Sequence, residues 1–84
     1  MPIIARFYSI LVKMYYIEDE QNPPHIHAKY NEFEGIFNIS TGTMTRGNLP
    51  KNATRLVKEF IAQHRERLLS MWENQDFEEL KFKE

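Results

Sequence analysis

Ala53, Leu56, Val57, Phe60, Ile61, His64, Leu68, Met71 and Trp72 recur at three- and four-residue steps, the spacing of one apolar stripe along a helix. Lys58, Glu59, Arg65 and Glu66 occupy the rest of that surface, and Pro50 brings a fixed φ suited to a first helical turn. A stripe this long must be covered. What precedes it reads as strands: Ile3 to Tyr8 and Ile10 to Ile17 are rich in β-branched and aromatic residues and hold no glycine or proline, with a turn or bulge at Ser9. Helix after strands predicts an α+β layer arrangement, a small antiparallel sheet of about four strands with one long amphipathic helix packed on one face.

The third strand is predicted over His25 to Tyr30, approached through Pro23 and Pro24, which favour extended backbone and remove two amide donors. Alternation puts Ile26, Ala28 and Tyr30 on an apolar face and His25, His27 and Lys29 on a polar one. With Asn31-Glu32 as a hairpin tip, Phe33 to Ile39 returns as the fourth strand, setting Tyr30 beside Phe33, Lys29 near Glu34 and Ile26 near Phe37. Residues 40–49 carry Gly42, Gly47, Asn48 and three threonines and read as a turn-rich connector. The helix is expected over about 50–73 and an acidic tail over 74–84, all in one domain.

At 84 residues the core is modest, and a partner chain or a second copy would add stability. The absence of cysteine excludes disulfides and thiolate metal sites, and with no signal peptide or long apolar run the chain is expected to be soluble, unprocessed and cytoplasmic, away from membranes. Net charge is −1, so no global footprint for nucleic acid exists; up to Trp72 there are nine Lys/Arg against seven Asp/Glu, whereas the remainder holds five acids and two lysines. A local RNA site on the mildly basic body is compatible with this balance, as is ordinary surface charge.

Two imidazoles on one strand face suit an acid–base pair for RNA cleavage, since histidine exchanges protons near neutrality. In that reading His25 and His27 are acid and base, Lys29 or Arg6 stabilises the phosphorane charge, and Tyr30 and Tyr8 supply hydroxyls or stack on bases. The competing reading is a partly exposed strand pair hydrogen-bonded to the connector. A third has the pair bind a metal completed by Glu18, Asp19, Glu20 or a distant residue, although without a fixed third ligand the pattern is weak, and no cofactor or metal is expected. His64 reads as a boundary residue donating one hydrogen bond, Trp72 as core, and Arg55, Lys58, Arg65 and Arg67 as a solvated helical face. In the tail, Phe77, Leu80 and Phe82 are candidate partner contacts that dock either on the sheet edge or on another protein.

The opening Met1-Pro-Ile-Ile-Ala-Arg-Phe-Tyr8, the box Asn22-Pro-Pro-His-Ile-His-Ala-Lys-Tyr30, Gly47-Asn-Leu-Pro50 and a helix ending in Trp72 resemble, in that order, the small bacterial family known as domain of unknown function 4160. The resemblance covers most of the chain outside the acidic tail. Members are often encoded beside a second small protein in an arrangement like a toxin and antitoxin pair. It therefore implies a toxin with a cognate antitoxin-like partner, expected to act as a small metal-independent ribonuclease or as an RNA-binding translation inhibitor, while the ribonuclease roles above come from the chemistry of the residues alone. The alternative function is a non-catalytic module that binds a partner protein through its sheet edge and tail.

Overall fold

The computed structural model describes residues 3–15 and 23–83. Five strands, β1 (Ile3–Phe7), β2 (Ile10–Lys13), β3 (His25–Tyr30), β4 (Phe33–Asn38) and β5 (Met44–Asn48), precede one helix, α1 (Lys51–Asn74). They form one antiparallel sheet in the order β1-β2-β3-β4-β5. Each strand pairs with its neighbours in sequence.

The turns follow from their residues. Tyr8 and Ser9 both have positive φ, 48° and 67°, and join β1 to β2 through the closing pair Phe7–Ile10, the two-residue geometry that matches strand twist. Asn31, at φ 53°, opens the β3–β4 turn, and the register pairs Tyr30 with Phe33, Lys29 with Glu34 and Ile26 with Phe37, as alternation predicts. β2 stops at Lys13, short of the expected Ile17; Tyr16, Ile17 and the acidic Glu18–Asp19–Glu20 run lie outside the described residues.

The sheet has a strand more than expected, because residues 44–48 are not connector but β5. Its glycine is there for backbone proximity, not for a turn. Gly47 has φ 87°, and a β-carbon on it would collide with the Glu34 carbonyl oxygen and lie 2.8 Å from Gly35 Cα, so only glycine lets β5 approach β4 so closely. The turn chemistry of the segment is confined to Asn38–Thr43, where Gly42 N donates to Asn38 O at 2.7 Å and Asn38 N to Thr43 O at 2.8 Å.

α1 covers the face presented by Val12, Ile26, Ala28 and Phe37, and Ala53, Val57, Phe60, Ile61, Leu68, Met71 and Trp72 are buried with them in one core. Leu56 and His64, also on the predicted stripe, are only half-buried. Backbone geometry breaks at His64 (φ −127°, ψ 21°), where its Nε2 bonds the Lys81 carbonyl oxygen at 2.7 Å. Gln75, in the left-handed conformation, ends the helix.

Beyond Gln75 the tail runs back over the β1 edge. Leu80 N donates to Ile4 O at 2.6 Å, Phe82 packs 4.8 Å from the Phe7 ring, and Gln63 meets Lys83 with both halves of its amide, donating from Nε2 to the carbonyl oxygen (2.5 Å) and accepting from the amide (2.8 Å). Arg67 grips Glu78 with two contacts of 2.6 Å, and this fork holds the Glu78 carboxyl below the usual carboxylate range. Phe77, Leu80 and Phe82 are half-buried against the chain's own core. Of the two docking places expected for this segment, the structure has the sheet edge.

Candidate nucleic-acid interface

Register decides which side chains share the face that α1 leaves uncovered. The pairings Ile3–Lys13, Lys13–His27, His27–Ile36 and Ile36–Arg46 make one row across the sheet. Arg6–Leu11, Leu11–Lys29, Lys29–Glu34 and Glu34–Asn48 make the adjacent row. The strands contain four basic residues, Arg6, Lys13, Lys29 and Arg46, and one acid, Glu34, and all five stand in these two rows. The reason is alternation: the opposite positions, Ala5, Val12, Ala28, Gly35 and Phe37, are core. Among the described residues none of the four cations is ion-paired.

His25 and His27 lie at the β3 end of this face with ring centroids 5.4 Å apart. The His25 ring is oriented by Pro23, whose carbonyl oxygen accepts from Nδ1 at 2.8 Å. A carbonyl only accepts, so Nδ1 carries the proton, and in the neutral ring the lone pair is on Nε2. The ring also rests 4.9 Å from Trp72, at the seam where the end of α1 meets the end of the sheet. His27 stacks on Tyr15 (4.4 Å, 20°), and its Nδ1 is 3.7 Å from Glu34 Oε2, an ion pair whenever the ring is protonated. Its side chain is 13 % exposed, so a reactant reaches it only from the open side of the face.

The structure thus brings together His25, His27, Lys29 and Arg6 on one face. Tyr30 is not with them. It stands on the opposite, core-facing side of β3, half-buried, because the pleat sends every second residue there; a hydroxyl for the histidine pair does not come from this residue. Tyr8, 53 % exposed, sits in the β1–β2 turn with its ring edge-on to Phe82 at 5.6 Å. Lys13, Arg46 and Tyr15 carry no mark in the sequence that joins them to the histidines. Their places depend on pairings between strands, and Arg46 on a strand hidden by its glycine. Among the described residues no group of three or more His, Asp or Glu is arranged to hold a metal ion, and Glu18, Asp19 and Glu20, the expected completing ligands, lie outside them. No helix of the described residues is long and apolar enough to cross a membrane.

The sequence matches the family described as Domain of unknown function (DUF4160) over residues 9–73 of 84. That span runs from the β1–β2 turn to the end of the buried helical stripe and includes the histidine box and β5. No curated protein and no solved structure was found to match.

Proposed function

The chain belongs to the DUF4160 family, and from that premise and the chemistry of its open sheet face we propose that it acts on RNA as the toxin of a two-protein module, with the neighbouring small protein as its antitoxin. The observation that carries the reading is the joint placement of His25 and His27 with the four strand cations on the one sheet face that the helix leaves uncovered.

The proposed reaction needs no group beyond these side chains. His25, with Nδ1–H engaged by Pro23 O, takes the 2′-hydroxyl proton on Nε2. The 2′-oxygen bonds to phosphorus, the bond from phosphorus to the 5′-oxygen breaks, and protonated His27 gives its proton to that leaving oxygen. The products are a 2′,3′-cyclic phosphate and a 5′-hydroxyl. Lys29 and Lys13, neighbours of His27 along β3 and across β2, offset the phosphorane charge.

Induced expression of wild type and of His25→Ala/His27→Ala, with growth and total RNA followed together and folding checked by circular dichroism, tests the proposal. Arrest and RNA cleavage that vanish in the folded variant are expected. Full arrest with cleavage in the variant removes the histidine mechanism. Absence of RNA loss in wild type turns the reading toward a protein-binding module, whose docking edge would be β5, since among the described residues no strand pairs with its outer side.

A further inference from the structure

Resting on the RNA reading above, we infer that Lys13 and Arg46 mark the ends of a track for single-stranded RNA that crosses strands β2 to β5 and carries the substrate over His27. The row Lys13–His27–Ile36–Arg46 spans three interstrand gaps, about 14 Å at ~4.8 Å each. A cation thus stands at either end of a row with the histidine inside it. The adjacent row, roughly 7 Å away along the strands, adds Arg6 and Lys29.

Two apolar side chains lie among these charges. Leu11 and Ile36 are half-buried, flanked by Lys29 and Arg46 respectively in the cross-strand rows. A duplex keeps its bases stacked inside and offers such a surface only phosphate and sugar, whereas a single strand also offers base faces for apolar and aromatic contact. The mixture of cations and apolar side chains therefore selects the single strand. Glu34, opposite Lys29 and 3.7 Å from His27 Nδ1, is the one carboxylate in the rows, set against four cations. The helix offers no comparable surface, because Arg55 and Lys58 alternate there with Glu59, and Arg55 approaches Glu59 at 4.0 Å.

The test is fluorescence anisotropy on the full chain with a labelled 2′-O-methyl oligouridine of about 12 nucleotides. Methylation removes the attacking hydroxyl, so binding is read apart from cleavage. At about 0.1 M salt, Lys13→Gln/Arg46→Gln is expected to weaken binding roughly tenfold, and to lower the slope of log affinity against log salt by about 1.4, or ~0.7 for each phosphate no longer neutralised. Arg55→Gln/Lys58→Gln is expected to change affinity less than about twofold. Equal losses in the two double variants, an unchanged slope in the first, or equally tight binding of a duplex of the same length would overturn the track. The two readings fail separately: binding with the expected slope by a protein that cleaves no RNA sustains the track and ends the nuclease, and wild-type cleavage that is lost in folded His25→Ala/His27→Ala, with binding unchanged by Lys13→Gln/Arg46→Gln, does the reverse.

Discussion

The two faces of one strand, β3, are built to different rules. Ile26 and Ala28 are fully buried against the helix, whereas His25, His27 and Lys29, interleaved with them, belong to the face with four cations. The covered face owes its composition to packing, which stabilises by roughly 25 cal/mol for each Å² of apolar surface removed from water. On the other face Lys29 is exposed, and the two histidines pack by their rings, His25 on Trp72 and His27 on Tyr15.

The contrast can be broken most directly by truncating each side. Phe60 is fully buried, with ring centroids 5.0 Å from both Phe7 and His64, and Phe60→Ala should cost about 3–5 kcal/mol. Lys29→Gln should change stability by less than ~0.5 kcal/mol. Urea unfolding of both proteins checks the pair, and comparable losses would mean that the open face is structural after all.

A smaller effect is expected at Gly47, where both faces depend on close approach of β5 to β4. Gly47→Ala forces a side chain into positive φ and onto the Glu34 carbonyl, and should cost about 1–3 kcal/mol. It should also weaken RNA binding by displacing Arg46, so its effect on binding relative to stability sharpens the assignment of the row. The β1–β2 turn predicts a change of opposite sign. Ser9→Gly suits its positive φ of 67° better and should stabilise by about 0.5–1 kcal/mol in thermal unfolding, with Tyr8 kept against Phe82.

The smallest expected effect is the pH response of the tail. Glu78 has its carboxyl lowered by the hydrogen bonds from Arg67, so the pair supports docking above the ordinary carboxylate pKa and loses that support as pH falls through the lowered value. Amide exchange at Leu80 followed from neutral to acidic pH should show protection decline over that window. In Glu78→Gln the decline should be absent.

Much of β3 and β4 was legible because alternation and the Asn31-Glu32 tip are local signals, and they set the register residue by residue. The helical stripe was legible for the same reason. β5 was not, because a glycine needed for approach to a neighbouring strand looks, in sequence, like a glycine needed for a turn. The histidine pair could be found from spacing alone. Lys13, Arg46 and Tyr15 could not, since what joins them to His27 is pairing between strands and a ring stack, neither of which leaves a mark in the order of residues.

The neighbour-to-neighbour order of the sheet also bears on how the molecule assembles. Every strand pairing closes a short stretch of chain, which keeps contact order low and favours fast folding, with hairpins able to form in succession as each segment becomes available. The bond from Leu80 to Ile4 is of the opposite kind, spanning nearly the whole chain. Its loop entropy is recovered only once sheet and helix are in place. The tail is therefore expected to settle last and to loosen first, so that early opening of the native state should be sought at the β1 edge while the histidine face is still intact.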